Sequence, residues 1–178
     1  RDCWDSMFDS VADGREPTDA EGMLLKENIM RCLLGNEPTR FALCRKYFSM
    51  KDLMYIKNRE IGTGCIGGKA AGMLLARNIL RDEAPELYSS RIEPHDSYYI
   101  GADVFYTYAV QSGLWGSRIR MIEAEDYLKY APDIRELLLN GTFAPSIKEQ
   151  FMSMLEYFGQ SPIIVRSSSI LEDGFGNA

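Results

Sequence analysis

The sequence predicts an α+β fold, in which a helical N-terminal extension at residues 1–59 precedes a mixed domain at residues 60–178. Three observations support this fold class. Apolar residues recur at helical spacing in several stretches. A glycine-rich loop with a lysine opens one of the helices, and a short β-branched run near the C-terminus is typical of a buried strand. The chain has 178 residues, of which 46% are hydrophobic, so it can bury a real core.

The first part of the chain is predicted to become helical after an irregular start. Residues 1–18 contain glycine and proline, which break regular structure. Thr18 or Asp19 can cap a helix over residues 20–34, and Gly35-Asn36 would end it.

The middle of the chain alternates helices with a loop, a turn and a strand. Apolar spacing and the positions of glycine and proline set the boundaries. In chain order we expect a helix at 38–57, a glycine-rich loop at 61–68, a helix at 70–80, a turn at 93–96, a strand at 97–100 and a helix at 103–110 that Gly113 ends.

The last part is predicted to hold three helices and a strand. The helices cover residues 123–130, 132–139 and 147–158, and the third has the clearest apolar stripe, with proline before it and glycine after it. Residues 163–165 are predicted to form a buried strand that delivers Arg166 to the loop at its end.

Composition excludes several classes of function. The net charge of −6 disfavours a nucleic-acid partner. The four cysteines form no Cys-x-x-Cys pair, so a zinc site is not expected, and no metal ligand is identified in the chain. No apolar run reaches membrane-spanning length, and no segment resembles a secretory signal. A cytoplasmic protein with reduced thiols is therefore expected; its oligomeric state is open.

The glycine-rich loop ends in Gly67, Gly68 and Lys69, a pattern suited to binding an anion. Glycines let backbone N–H groups approach a phosphate, and the helix N-terminus adds a favourable dipole. Lysine adds a mobile positive charge. A helix-start turn with an exposed lysine is the structural alternative.

Two other phosphate motifs compete for this loop. The P-loop pattern fails, because Thr63 stands where its first glycine should be and Ala70 stands where its hydroxyl should be. The dinucleotide pattern G-x-G-x-x-G is satisfied by Gly62, Gly64 and Gly67, but it requires a buried parallel strand ending at the loop. Residues 57–60 are all polar or charged, which is unfavourable for such a buried strand.

A second candidate phosphate contact lies about 100 residues later. Arg166 offers a planar fork that suits phosphate oxygens, and Ser167 and Ser168 add hydroxyls beside it. Alternatively, Arg166 pairs with Glu172 or Asp173 and only fixes the loop.

Both segments resemble one family. Residues 66–73 are similar to the Gly-Gly-Lys segment that opens the ATP-binding domain of pyruvate phosphate dikinases, phosphoenolpyruvate synthases and rifampin phosphotransferases. Residues 165–173 match the family's Val-Arg-Ser-Ser-(Ala/Ser)-x-x-Glu-Asp segment throughout, and residues 174–178 are similar to the approach to its Phe-Ala-Gly tripeptide. The resemblance covers residues 60–178, in the family's order.

The resemblance implies a partial ATP-grasp-like fold and a phosphotransferase. It implies that Lys69 and Arg166 contact ATP phosphates and take part in catalysis, and that Gly67, Gly68, Ser167 and Ser168 help to bind the nucleotide. In the family the phosphoryl group passes from ATP to a histidine on a separate domain and then to pyruvate or another acceptor. Mg²⁺ is expected with the ATP.

Several parts of that machinery are expected outside this chain. The second ATP-grasp half, with the magnesium ligands, would lie beyond residue 178, as would the phosphohistidine domain. His95 lacks the family's phosphohistidine context and is expected to be a surface or turn residue. We therefore expect the isolated 178 residues to be inactive. A non-catalytic nucleotide-binding or interaction module that keeps half of an ATP site is the alternative function.

Overall fold

The computed structural model describes residues 3–11, 13–93, 95–116 and 127–168. The chain divides into two compact units, the first comprising residues 1–101 and 163–178 and the second residues 102–162. Within the described ranges the chain is mostly helical with one small parallel sheet. The predicted α+β class is confirmed at this broad level.

The first unit contains six helices and two strands among its described residues. In chain order they are α1 (Cys3–Asp9), α2 (Ala20–Leu34), α3 (Pro38–Tyr47), α4 (Met50–Lys57), β1 (Glu60–Ile61), α5 (Gly68–Glu83), α6 (Pro85–Arg91) and β2 (Tyr99–Ile100). The described elements of the second unit are α7 (Ala102–Gln111), a short 3-10 helix (Tyr127–Tyr130), α8 (Ala131–Asn140) and α9 (Pro145–Phe158).

The ends of α2 lie where the sequence predicts them. Asp19 is the N-cap, and its carboxylate accepts a hydrogen bond of 2.7 Å from the Gly22 N–H. Gly35 ends the helix with φ of 81°, a conformation that glycine adopts without steric cost. The predictions of α5, α7, α8 and α9 are also confirmed, with ends that differ by a few residues.

Helix α1 corrects the prediction that residues 1–18 are irregular. Phe8 is almost fully buried in the core of the first unit, and its ring lies 5.3 Å from that of Trp4. This helix is too short to be stable alone, so packing rather than propensity accounts for it. Helix α6 was not predicted.

The helix predicted over residues 38–57 is two helices. The chain leaves α3 at Phe48, whose side chain is buried, and Ser49 starts α4 with a capping box. The Ser49 hydroxyl accepts from the Asp52 N–H, while the Asp52 carboxylate accepts from the Ser49 N–H. This reciprocal cap satisfies N–H groups at a break that the apolar spacing does not reveal.

The core of the first unit joins the N-terminal helices to α5. Its largest fully buried side chains include Ile29, Leu33, Leu53, Ile56 and Leu74. The buried face of α5 therefore packs in the same cluster as α2, α3 and α4.

The sheet consists of β1 and β2 paired in parallel, with Glu60 opposite Tyr99 and Ile61 opposite Ile100. Arg59, just before β1, forms an ion pair of 2.8 Å with Asp96, just before β2. Strand β2 is shorter than the predicted 97–100, and the turn before it lies partly outside the described residues. Residues 123–126 of the helix predicted at 123–130 also lie outside them, and residues 127–130 form the short 3-10 helix.

The predicted buried strand at residues 163–165 is wrong. The segment has no regular secondary structure, and the side chains of Ile163, Ile164 and Val165 are 41%, 88% and 81% exposed. A strand needs a partner for its backbone groups, and β1 and β2 pair only with each other in the described sheet. A β-branched run predicts strand propensity, but it cannot supply that partner.

In the second unit, α8 ends against α7. The Tyr108 hydroxyl donates a 2.5 Å hydrogen bond to the Leu138 carbonyl, and its ring lies 4.7 Å from that of Phe143. A Cβ at Gly141 would overlap Tyr108, which explains why a glycine follows the helix. Across the described residues, none of the helices combines the length and apolar character that a membrane crossing requires.

Candidate functional site

The glycine-rich loop between β1 and α5 depends on left-handed backbone conformations. Gly62, Gly64 and Gly67 have φ of 73°, 100° and 87°. Residues with a Cβ rarely adopt these angles, so three of the loop's glycines are required by the path of the chain. Three neighbouring segments then hold the loop in place.

The first contact comes from the residue after β2. A Cβ on Gly101 would overlap the backbone of Thr63. The Gly101 N–H also donates a 2.9 Å hydrogen bond to the Ile61 carbonyl, which continues the parallel ladder. The end of β2 therefore lies directly against the start of the loop.

The second contact comes from α2. The Ile66 N–H donates a 2.9 Å hydrogen bond to the Leu33 carbonyl, and the Ile66 side chain is buried in the core. The last carbonyls of a helix receive no hydrogen bond from within the helix. The Leu33 carbonyl, near the end of α2, is therefore available to accept one from the loop.

The third contact comes from the Arg-Ser-Ser segment. A Cβ on Gly67 would overlap the carbonyl and hydroxyl oxygens of Ser168. The Ser168 hydroxyl accepts a 3.1 Å hydrogen bond from the Ala70 N–H in the first turn of α5. The two motifs are thus in direct contact, although 98 positions separate Ala70 from Ser168.

The exposure of the predicted site residues falls into three groups. Gly67 and Gly68 are buried at the start of α5, Lys69 is half-buried, and Arg166 is exposed beside Ser167. The contact between Gly67 and Ser168 shows that the loop and the segment meet. The individual roles predicted for these side chains in binding and catalysis stay predictions.

Two contributions to the site were missed at the level of sequence. Gly101 and Leu33 act through backbone approach and a carbonyl, which side-chain patterns do not show. For Gly101 a signal was present, because a glycine directly after a strand often marks a close approach of two backbones. For Leu33 no sequence signal exists, since any residue carries a carbonyl.

Comparison with known families identifies the chain. The family described as "Pyruvate phosphate dikinase, AMP/ATP-binding domain" matches residues 63–178, more than half of the chain. The chain belongs to this family. The pyruvate phosphate dikinase match includes residues 63–68 of the glycine-rich loop and the Arg-Ser-Ser segment, and it indicates an ATP-binding domain of a dikinase-like enzyme. Comparison with curated proteins and with solved structures gives no match.

The family assignment also bears on the dinucleotide alternative. A parallel strand does end at Ile61, immediately before Gly62, so the condition for that alternative is met by a strand of two residues. A strand, a glycine loop and a helix can serve either kind of nucleotide. The pyruvate phosphate dikinase family match, rather than the local geometry, therefore favours AMP or ATP.

The described residues contain no group of three or more His, Cys, Asp or Glu side chains placed to hold a metal ion. The Mg²⁺ expected with ATP, and its ligands, stay a prediction. His95 is half-buried rather than fully at the surface. Burial and the nearby positive charge of Arg77 lower the pKa of the His95 imidazole.

Proposed function

We propose that this chain forms one side of the ATP-phosphate site of a phosphotransferase. The enzyme would move a phosphoryl group from ATP to a phosphohistidine on another domain, and from there to pyruvate or a related acceptor. The observation that carries this proposal is the contact between Gly67 and Ser168, which joins two motifs that are far apart in sequence into one surface.

The chemistry of the site follows from its parts. The start of α5 offers an anion the positive end of a helix dipole. Lys69 would add a mobile charge, and Arg166 a bidentate fork. Phosphoryl transfer depends mainly on positioning and charge stabilisation, so such a surface suits the donor nucleotide. Mg²⁺, when bound, would neutralise phosphate oxygens.

We further propose that the complete nucleotide site is ATP-grasp-like, with its second half outside residues 1–178. Residues 1–59 would then be a helical extension that supports the site, because the Leu33 carbonyl holds the glycine loop. On this proposal the isolated chain binds ATP phosphates but does not turn over ATP. Measurable ATP hydrolysis, or pyruvate-dependent phosphoryl transfer, by the isolated chain would refute that part.

The role of Arg166 is tested by Arg166→Ala. Removing a charge-assisted hydrogen bond should weaken ATP binding by about 1.5–3 kcal/mol. Arg91→Ala is the matched control, because Arg91 is exposed at the end of α6 and belongs to neither motif. Isothermal titration with ATP measures both. Equal affinity of the two variants would show that Arg166 only fixes its own segment.

A further inference from the structure

Helix α5 starts without a cap of its own. The first N–H groups of a helix lack acceptors within it, and a Ser, Thr, Asp or Asn at the N-cap commonly supplies one. The N-cap of α5 is Gly67, which makes no side-chain hydrogen bond. By contrast, α2 and α4 in the same unit are capped locally by Asp19 and Ser49.

The missing cap is supplied by Ser168. Its hydroxyl accepts from the N–H of Ala70, the third residue of α5, which is the donor that a serine at the N-cap position would satisfy. Glycine at position 67 makes room for this arrangement, because a Cβ there would overlap Ser168 and its φ of 87° suits only glycine. Glycine at position 67 therefore accounts for both observations: it provides no local cap, and it leaves the room that Ser168 needs to cap the helix.

We propose that Ser168 is a positioning residue for the ATP-phosphate site. By capping α5 from the Arg-Ser-Ser segment, it sets the spacing between Lys69, in the first turn of the helix, and Arg166, two residues before the cap. Its hydroxyl oxygen accepts the hydrogen bond from the Ala70 N–H. This inference rests on the proposed function, since it assigns a role within that site.

The spacing matters because Lys69 and Arg166 would have to contact one triphosphate together. Charged groups stabilise a phosphate best when the protein holds them in place before the ligand arrives. The hydrogen bond from the Ala70 N–H to the Ser168 hydroxyl connects the helix to the segment that carries Arg166. Loss of the Ser168 hydroxyl should therefore reduce the contribution of Arg166 to ATP binding.

A double-mutant cycle with ATP tests this role. In the 178-residue chain, Ser168→Ala should weaken ATP binding about fivefold, the factor that corresponds to a typical lost cap. In the Arg166→Ala background the same change should have little further effect, because the group that Ser168 positions is gone. Ser90→Ala is the matched control, since among the described residues the Ser90 hydroxyl bonds to its own helix, at the Glu86 carbonyl and the Leu87 carbonyl.

Two further variants and measurements separate positioning from general damage. Ser168→Thr keeps the hydroxyl and should bind ATP more tightly than Ser168→Ala. Hydrogen exchange should be faster for the Ala70 amide in Ser168→Ala than in the unmodified chain, with other α5 amides unchanged.

Each outcome bears on the inference. It is overturned if Ser168→Ala binds ATP normally, if its effect is equally large in both Arg166 backgrounds, or if Ser168→Thr is as weak as Ser168→Ala. A failure of the unmodified chain to bind ATP would instead overturn the proposed function, and the inference with it. These results are distinguishable, because only the last appears in the unmodified chain.

Discussion

The two sides of the candidate site are held in different ways. The lysine side, residues 61–70, comprises the end of β1, the glycine-rich loop and the first residues of α5, and the end of α2 and the end of β2 both contact it. The arginine side, residues 163–168, has no regular secondary structure, and its apolar side chains are largely exposed. The lysine side is therefore built into the core of its unit, whereas the arginine side is connected to that core through Ser168.

This difference separates two ways of preparing a charged group for a ligand. Lys69 extends from a helix whose buried face includes Leu74 and Leu75, so the backbone position of the lysine is fixed by packing. Arg166 follows a segment that packs little, so its placement depends on a hydrogen bond rather than on a core. We expect substitutions on the lysine side to affect folding, and substitutions on the arginine side to affect binding alone.

The largest expected effect on stability comes from replacing an isoleucine with alanine on each side of the site. Ile61→Ala removes a fully buried side chain just before the glycine loop and should lower the free energy of unfolding by about 2–5 kcal/mol. Ile164→Ala removes a side chain that is 88% exposed and should change it by less than about 0.5 kcal/mol. Urea denaturation measures both. Comparable losses in the two variants would break the contrast between the two sides.

The next effect concerns the point where the two sides meet. Gly67→Ala places a Cβ at a positive φ and against Ser168, and should cost roughly 1–2 kcal/mol from the backbone strain alone. It should also weaken ATP binding by separating the segment from α5. Gly72→Ala is the matched control. Gly72 lies within α5, and a Cβ at this position would meet nothing within 4 Å.

The control variant is itself expected to change the stability of the chain. Alanine is the better helix former, so Gly72→Ala should stabilise the chain by about 0.5–1 kcal/mol. Thermal unfolding monitored by circular dichroism measures both glycine variants. If Gly67→Ala is as stable as the unmodified chain and binds ATP equally well, the close approach of the two motifs is not required.

The elements that the sequence predicted well are those with local end signals. Asp19 and Gly35 bound α2, and Pro145 and Gly159 bound α9, because capping and left-handed glycines act within one turn of the helix. The elements that were missed depend on distant partners. Helix α1 exists because Phe8 is buried by later helices, and residues 163–165 lack a strand partner in the described sheet.

The candidate site follows the same division. Gly67, Lys69 and Arg166 could be predicted as site residues from residue types and spacing, because the expected chemistry is carried by those types. The contacts that arrange them come from the Leu33 carbonyl, from Gly101 and from the Ala70 N–H. Backbone groups have the same chemistry at every position, so only the fold reveals which of them are used.

A smaller effect is expected at the far end of α5, where Arg81 forms a 2.8 Å ion pair with Asp52 of α4. Burial opposes ionisation of Asp52, but hydrogen bonds from Arg81 and Ser49 outweigh it and lower the pKa of the carboxyl. The resulting stabilisation is present above the unfolded pKa, about 4, and is lost as the pH falls through the lower folded value.

Asp52→Asn should therefore cost about 1 kcal/mol at pH 7, a modest figure because the Arg81 side chain is 38% exposed. The difference from the unmodified chain should shrink on acidification below pH 4. Asp82→Asn is the control, since Asp82 pairs with the same arginine but is more exposed. Urea denaturation at several pH values measures this. A difference that stays constant with pH would show that the ion pair does not anchor α5.

The smallest effect leaves stability unchanged and reports on the lysine side directly. Cys65 lies half-buried within the glycine loop, whereas Cys44 is buried in the core, where burial raises the pKa of its thiol to about 11. Iodoacetamide should therefore modify Cys65 and spare Cys44, because the thiolate is the reactive form. ATP should slow the modification of Cys65 but not that of half-buried Cys32, which lies in α2. Mass spectrometry of the alkylated peptides gives the rates, and equal protection of Cys32 and Cys65 would show that ATP acts on the unit as a whole rather than at the loop.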